Sequence, residues 1–192
     1  MKVLDRPILL ASKSPRREQL LREAGFNFRI EVNEVDELYP SDMVPSDIPT
    51  YLAELKATGN MVNLRPDEVL LCSDTIVVQE GIVYEKPKDK AHAIQMIGAL
   101  AGRHHTVITG VCLQSTEKKV VFAEQSIVHM YPISAAEIEY YVDTYQPYDK
   151  AGAYAIQEWI GHCKISKIEG TYNTIMGLPV HQIYQQLKNW DA

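Results

Sequence analysis

The stretch VLLCSDTIVVQEGIVYEKP, residues 69–87, carries the strongest structural signal of the chain. It is rich in Val, Ile and Leu, which are typical of buried strands, and the pair Glu80-Gly81 interrupts it as a tight turn would. The sequence therefore predicts a hairpin of two strands, the first of which runs through the hydrophobic core.

Asp74 is a carboxylate inside this apolar run. Burying an aspartate without a partner costs free energy, so the position needs an explanation. In one interpretation, a bulge or a strand end brings Asp74 to solvent or lets it cap a turn. In the other, the carboxylate lies in a cleft and serves a metal ion or a water molecule. The stretch alone favours neither.

Helices and strands alternate around the hairpin. The patterns predict strands at 8–11, 105–114 and 119–131, and helices at 15–24, 49–61, 90–100, after the capping box SAAE (134–137) and from GLPV (177–180) onward. In the helix at 49–61, Tyr51, Leu52 and Leu55 are expected to face inward. Loops are predicted at 31–48 and 146–177, with a hairpin at 163–168 inside the latter. This order favours an α/β fold with a mixed sheet, in one continuous two-lobed domain over 1–192, because no flexible linker is visible.

Composition and charge narrow the class of protein. The 192 residues are 46% hydrophobic and carry a net charge of -6, which argues against a bulk nucleic-acid binder. A local positive pocket for a small anionic substrate remains compatible with an acidic protein. The motifs of P-loop kinases, Rossmann dehydrogenases, zincins and α/β-hydrolases are not found.

The cysteines and the N-terminal segment bear on the compartment. Cys72, Cys112 and Cys163 are odd in number, widely spaced and set in apolar stretches, which favours buried thiols over a disulfide framework or a thiolate zinc site. The segment MKVLDRPILLAS is too short and too charged for a signal peptide, and no apolar run reaches transmembrane length. A cytoplasmic protein without a membrane partner is expected.

The segment SKSPRR places two arginines at a helix start. Ser14 is a good N-cap and Pro15 suits the first helical position, so Arg16 and Arg17 lie where the helix dipole is already positive. A bound anion would reverse this penalty, and the hydroxyl of Ser12 would add a donor, so the segment indicates a phosphate cradle. Alternatively, the helix start is solvated and its arginines pair with acids such as Glu34 or Asp36.

The acidic segment NEVDELYP, residues 33–40, could supply a second carboxylate from Glu37 or Asp36. Together with Asp74 it would form the kind of magnesium site in which one or two carboxylates hold the ion and substrate phosphates complete the shell. A solvated acidic loop is the more common meaning of such a run.

Several other polar side chains stand in notable positions. Gln157 closes an apolar stretch and could read the edge of a base, because an amide offers both a donor and an acceptor. His104 and His105 are adjacent on a predicted strand and therefore point to opposite faces, so they are interpreted as structural or peripheral. Three lysines are well placed, although each taken alone is more typical of a surface: Lys56, Lys86 and Lys150.

Taken in order, these segments resemble the Maf family of nucleoside triphosphate pyrophosphatases. The resemblance runs through ASKSPRREQLL, VDE, LKA, SDT, EKP, AGRHHTVITG, DKAGAYAIQ and GLPV, and it covers nearly the whole chain. Each motif is weak alone, whereas the full set in this order is specific.

The resemblance implies a fold and a reaction. The implied fold is a long, twisted mixed sheet with helices in two lobes around a central cleft, similar to inosine triphosphate pyrophosphatases. The implied reaction is hydrolysis of a nucleoside triphosphate between its α- and β-phosphates, by water and with a divalent cation, Mg²⁺ or Mn²⁺. A homodimer is implied at the level of the family only.

The resemblance also assigns roles to residues. Asp74 matches the catalytic aspartate and, with Glu37, the metal site. Substrate binding falls to residues that match the polar and cationic positions of the cleft: Ser12, Arg16, Arg17, Lys56 and Lys86, with Lys150 as a further lysine in the DKAGAYAIQ motif. In this scheme Arg17 holds phosphate, while Arg16 helps to select the nucleotide.

The segment DKAGAYAIQ resembles the branch of the family that acts on dTTP and UTP, and Arg16, Thr75 and Gln157 match positions tied to that choice. Glu158 stands where the family usually has glycine, directly after Gln157. Two alternatives stay open: a pyrophosphatase for 7-methyl-GTP or another modified nucleotide, and a non-catalytic nucleotide-binding regulator of septum formation. Pool cleansing and cell-division arrest both stay open as the physiological task.

Overall fold

The computed structural model describes residues 2–191 as an α/β fold built on a mixed sheet. The strands are β1 (Ile8–Leu10), β2 (Phe28–Ile30), β3 (Val69–Gln79), β4 (Ile82–Tyr84), β5 (His104–Gln114), β6 (Lys119–Met130) and β7 (Ile165–Glu169). The helices are α1 (Lys2–Asp5), α2 (Pro15–Glu23), α3 (Ile48–Asn60), α4 (Lys90–Leu100), α5 (Ala135–Tyr145), α6 (Trp159–Lys164), α7 (Tyr172–Met176) and α8 (Val180–Lys188), with short 3₁₀ turns at Met61–Asn63 and Ala151–Ala153.

The sheet contains both parallel and antiparallel pairs. Its strand order is β2-β1-β3-β5-β6-β7, and β4 pairs with β3. The short strand β1 is parallel to both neighbours, with Ile8 opposite Phe28 on one side and Val69 on the other. The β3–β4 and β6–β7 pairs are antiparallel. The predicted fold class, α/β with a mixed sheet, is confirmed.

The hairpin predicted within 69–87 forms because its turn has the required residues. Glu80 and Gly81 both have positive φ, 51° and 80°, as the two central residues of a type I′ turn must. The turn brings Val77 opposite Tyr84 in the antiparallel ladder. Local turn chemistry and the apolar run therefore agree on one register.

The chain divides into two compact units, each with its own hydrophobic core. The first unit runs up to Asp74 and also contains Thr109–Glu124 and the segment from Gly177 onward; the second contains Thr75–Ile108 and Gln125–Met176. One core in the first unit consists of small and aliphatic residues: Leu9, Ala11, Ala53, Ala57, Leu70, Cys72 and Cys112. The core of the second unit is built from α4, α5 and the neighbouring strands, with Tyr141 fully buried.

Several details of the sequence prediction are wrong. The segment 146–177, predicted as loop apart from one hairpin, contains the helices α6 and α7 and the strand β7. The hairpin expected at 163–168 is instead the last turn of α6 followed directly by β7, whose partner strand is the distant β6. Cys163 is exposed on that helix, whereas Cys72 and Cys112 are buried as expected. Tyr51 is 39% exposed, because the buried face of α3 is made by Leu52, Ala53 and Ala57.

Caps and termini follow the local sequence more closely. Asp89 accepts a hydrogen bond from the amide of His92 at the start of α4, and Ser134 with Glu137 forms the predicted capping box of α5. Within residues 2–191, every helix is too short or too polar to cross a membrane.

Candidate active site

Asp74 lies in the middle of β3 and is only 8% exposed. Its Oδ1 accepts a hydrogen bond of 2.6 Å from Nζ of Lys56, which is 15% exposed. The carboxylate is therefore neither at a strand end nor solvated. A buried charge is tolerable when an opposite charge compensates its lost hydration, and Lys56 supplies that charge.

Lys56 faces Asp74 because of its place on α3. Leu52 and Asn60, one helical turn away in each direction, are buried, so Lys56 lies on an inward-facing row of the helix. The same ammonium lies 3.0 Å from Oε2 of Glu37, whose side chain is 46% exposed. A single lysine thus gathers two carboxylates that are 37 residues apart in sequence, one from β3 and one from the irregular segment before α3.

The pair of carboxylates fits the chemistry of a divalent cation. Asp74 and Glu37 each place an oxygen within 3.0 Å of one nitrogen, so their carboxylates converge on a single cationic position. Carboxylate oxygens are the ligands that Mg²⁺ prefers, and Mg²⁺ needs only one or two of them when phosphates and water complete its shell. Among residues 2–191, His, Cys, Asp and Glu side chains form no group of three or more that could hold a metal ion.

Arg17 is held by three parts of the first unit. Its Nε donates to the carbonyl of Gly177 at 2.9 Å, and its Nη1 donates to the carbonyl of Ser73 at 2.8 Å and to Oγ of Ser12 at 3.2 Å. Burial lowers the pKa of Arg17, and the nearby charge of Asp74 acts in the opposite direction. The guanidinium thus links the loop after β1 to β3 and to the segment before α8.

The rest of the SKSPRR segment lies close to this arginine. Ser12 is 7% exposed, and its Oγ also accepts the backbone N–H of Ser14 at 3.2 Å. Helix α2 begins at Pro15 as predicted, although the side chain of Ser14 makes no capping bond. Arg16 is half-buried. Glu34, one of the acids considered for these arginines, forms its ion pair with Lys13.

The remaining predicted site residues belong to the second unit. Lys150 is 8% exposed and contacts two carboxylates, Asp149 at 2.7 Å and Glu158 at 3.4 Å. Thr75 is half-buried on β3, and Lys86 is exposed after β4. Oε1 of Gln157 is buried without a hydrogen-bond partner in the described part of the chain.

The two histidines have the structural roles that the sequence suggested. His105 is 1% exposed, and its Nε2 shares a hydrogen bond of 2.7 Å with the hydroxyl of Tyr154. Burial lowers the pKa of His105 to about 4. His104 points to the other face, where its ring lies 5.6 Å from that of His129.

The structure thus brings five predicted residues of the first unit into two groups, Ser12 with Arg17 and Lys56 with Glu37 and Asp74. The groups adjoin at β3, where Arg17 bonds the carbonyl of Ser73, the residue before Asp74. Two residues that contact Arg17 were not predicted from the sequence. Ser73 and Gly177 anchor Arg17, and Oγ of Ser73 donates to the carbonyl of Gly177 at 3.1 Å. Ser73 could have been singled out, because it is a polar residue inside an apolar strand. The carbonyl of Gly177 could not, because a backbone group does not appear in the pattern of side chains.

The chain matches known proteins over nearly its whole length. A family model described as Maf-like protein matches residues 7–190. The chain is 43% identical over 182 residues to a dTTP/UTP pyrophosphatase of Bacteroides thetaiotaomicron, covering 94% of each chain. It is 40% identical over 188 residues to a dTTP/UTP pyrophosphatase of Porphyromonas gingivalis, covering 95% of this chain and 94% of that one.

Among solved structures, the Staphylococcus aureus Ham1 protein has a similar fold. The TM-score is 0.56 at 12% sequence identity, and the match covers 96% of this chain and 99% of that one. This likeness concerns the fold alone. The family model, by contrast, spans nearly all of the sequence, including Ser12, Arg17, Glu37, Lys56 and Asp74. The chain therefore belongs to the Maf family.

Proposed function

We propose that this protein hydrolyses nucleoside triphosphates, with dTTP and UTP as the preferred substrates, to the nucleoside monophosphate and diphosphate. The names of its relatives support the reaction, since several proteins more than 40% identical over about nineteen-twentieths of the chain are dTTP/UTP pyrophosphatases. The single observation that carries the proposal is the Asp74–Lys56 pair, a buried carboxylate and ammonium 2.6 Å apart.

In this proposal the chain supplies a base and several cations. Asp74 orients a water molecule and accepts its proton at a carboxylate oxygen as the water oxygen attacks the α-phosphorus. The bond between that phosphorus and the oxygen bridging to the β-phosphate breaks, and diphosphate leaves with the bonding pair. Lys56, Arg16 and Arg17 offset the charge of the phosphates, with Ser12 as a further donor. Lys86 and Lys150 are proposed as further substrate-binding lysines.

A divalent cation, Mg²⁺ or Mn²⁺, is part of the proposal. Glu37 and Asp74 would hold it, because their carboxylates already converge on one positive charge. When bound, such an ion neutralises phosphate charge and lowers the pKa of a coordinated water. Lys56 would then keep its place beside the two carboxylates and face the substrate phosphates with its remaining donors.

A panel of nucleoside triphosphates tests the proposal. Each of dTTP, UTP, CTP, GTP, ATP and 7-methyl-GTP is incubated with the protein and Mg²⁺ or Mn²⁺, and diphosphate and monophosphate are quantified separately. We expect release of diphosphate with dTTP and UTP at the highest kcat/KM. Release of inorganic phosphate instead would place the cleavage at another bond, and no turnover of any triphosphate would leave only the binding role.

Three properties remain predictions: one two-lobed domain over 1–192, a homodimer, and a cytoplasmic location. A single cooperative unfolding transition would support the first, because two independent domains would unfold separately. Sedimentation equilibrium of the purified protein tests the second. Fractionation of the source cells tests the third.

A further inference from the structure

Two polar side chains of the second unit, Tyr141 and Glu158, have no role in the proposed chemistry. The hydroxyl of Tyr141, on α5, donates to Oε2 of Glu158 and accepts the backbone N–H of Ala155 at 3.1 Å. Oε1 of Glu158 lies 3.4 Å from Nζ of Lys150. Tyr141 is fully buried, and the Glu158 side chain is 18% exposed. These contacts fasten the segment 155–158 to α5 and to Lys150.

Glu158 makes these contacts in place of a local one. It is the N-cap residue of α6, where a carboxylate ordinarily accepts hydrogen bonds from the free amides of the first helical turn. Its side chain forms no such bond. Only its backbone carbonyl serves the helix, accepting the N–H of His162 at 3.0 Å. The side chain is therefore directed by tertiary partners, Tyr141 and Lys150.

The backbone of the same segment has little freedom. The N–H of Glu158 bonds the carbonyl of Ala155 at 3.2 Å, which closes a turn around Ile156 and Gln157. A Cβ atom at Gly161 would lie only 1.7 Å from the carbonyl oxygen of Ile156, so the segment presses directly against α6. Gln157 is thus carried by a turn that is closed by its own backbone and fastened at both ends by Tyr141.

The amide oxygen of Gln157 is in need of a donor. Oε1 is buried and has no hydrogen-bond partner within residues 2–191, and an unsatisfied buried acceptor is unfavourable. Uracil and thymine carry an N–H between two carbonyls and can satisfy it, whereas cytosine has an acceptor at that ring position. The discrimination of uracil and thymine from cytosine by Gln157 therefore depends on how rigidly the turn positions its amide.

We infer that Tyr141 and Glu158 are positioning residues that set pyrimidine choice by fastening the turn that presents Gln157. The inference rests on the proposed function. Neither residue needs to touch the substrate. Each acts through the turn at 155–158, and Glu158 also fixes the ammonium of Lys150.

Two variants and one matched control test the inference. Tyr141→Phe removes the hydroxyl that joins Ala155 to Glu158, and Glu158→Gln keeps an acceptor for Tyr141 but loses the charge facing Lys150. Tyr140→Phe is the control, because it removes a hydroxyl from the neighbouring residue of the same helix, which is 52% exposed. For each protein, kcat and KM are measured with UTP and CTP. Binding of UTP and CTP analogues with a methylene group between the α- and β-phosphates is measured by calorimetry.

We expect Tyr141→Phe to reduce the UTP-over-CTP preference by about tenfold, mainly through KM for UTP, with kcat changed less than about threefold. Glu158→Gln should reduce the preference by a smaller factor, and Tyr140→Phe should behave as wild type. A folded Tyr141→Phe protein with wild-type preference, or one that loses kcat with KM unchanged, would overturn the inference. If that variant does not fold, the preference of Glu158→Gln decides.

The two measurements separate this inference from the proposed function. A wild-type protein that binds the UTP analogue but cleaves no triphosphate would overturn the proposed function, and the variants' analogue preference would still decide the role of Tyr141 and Glu158. Turnover by wild type with unchanged preference in both variants would overturn the inference alone. A wild-type protein that neither binds nor cleaves would overturn both.

Discussion

The ammonium of Lys56 lies 2.6 Å from the carboxylate of Asp74, which joins the middle of α3 to the middle of β3. Both side chains are largely withdrawn from water, at 15% and 11% exposure. Each charge offsets the lost hydration of the other, so removal of one leaves its partner uncompensated. The effect of a substitution at either residue can therefore be measured in the stability of the protein as well as in its activity.

Asp74→Asn is expected to lower kcat for dTTP and UTP by about 10²–10⁴-fold, the range typical of a lost general base. The amide is isosteric and can still accept a hydrogen bond from Lys56, so the far-ultraviolet circular dichroism should match wild type. Asp67→Asn, at an exposed aspartate just before β3, is the matched control. Wild-type kcat in Asp74→Asn would refute the catalytic assignment.

Glu37→Gln is expected to raise the Mg²⁺ concentration for half-maximal activity about tenfold or more, because one of two anionic ligands becomes neutral. Asp36→Asn provides a close comparison, since Asp36 is exposed in the same segment and was the other carboxylate that the acidic segment offered. Metal titrations at saturating UTP make the measurement. Equal shifts in both variants would point to general electrostatics instead of ligation by Glu37.

Arg17→Lys is expected to lower the free energy of unfolding by about 1–3 kcal/mol, because lysine cannot reproduce the fork that serves Ser12, Ser73 and Gly177 together. Ser73→Ala removes only the bond from its Oγ to Gly177, so a smaller loss of about 1 kcal/mol is expected. Urea denaturation measures both. If Arg17→Lys lost phosphate affinity at unchanged stability, the three protein contacts would be incidental.

His105 is expected to make stability fall on acidification. Burial lowers its pKa in the folded protein to about 4 from an ordinary value of 6.5. Below pH 6.5 His105 therefore binds a proton in the unfolded chain but stays neutral in the folded protein. The free energy of unfolding falls as the pH falls from 6.5 towards 4. Above pH 6.5 this contribution is fully present.

The histidine pair offers a matched comparison for that pH dependence. His105→Gln should remove the loss, which amounts to about 3 kcal/mol at most, at the cost of some stability at neutral pH through poorer packing against Tyr154. His104→Gln, at the exposed neighbour on the opposite face of β5, should leave the loss in place. Urea denaturation at intervals between pH 7 and pH 4 gives the measurement. Parallel curves for wild type and His105→Gln would contradict the assignment.

Local patterns predicted the elements whose signals are local. The hairpin at 69–87 followed from two left-handed turn residues and an apolar run, and the caps at Asp89 and Ser134 followed from contacts within three residues. The prediction for the segment 159–169 was wrong because its structure depends on distant residues. Whether α6 continues or a strand begins is settled by pairing of β7 with β6, about 40 residues away in sequence.

In the candidate site, too, some features could be predicted from the sequence and others only from the structure. Asp74 could be singled out because a carboxylate inside an apolar strand is conspicuous. The stretch alone left its two interpretations equal, and the family resemblance favoured the catalytic one. The structure adds that the carboxylate is buried and paired with Lys56. The residue pattern left Glu37 and Asp36 equivalent and the family resemblance favoured Glu37, whose contact with Lys56 now distinguishes it in the structure. Nothing in the residues around Tyr141 indicates its contacts with Ala155 and Glu158, which only the structure shows.

The sequence by itself determined the family, the α/β class, most element boundaries and the set of charged residues available for a triphosphate. Those properties depend on motif order, residue period and turn chemistry, which act over a few positions. Only the tertiary structure decided which polar groups meet: Lys56 with both Asp74 and Glu37, Arg17 with Gly177, Glu158 with Tyr141. Such pairings depend on distances of a few ångströms between residues far apart in the chain, and packing of the whole unit sets those distances.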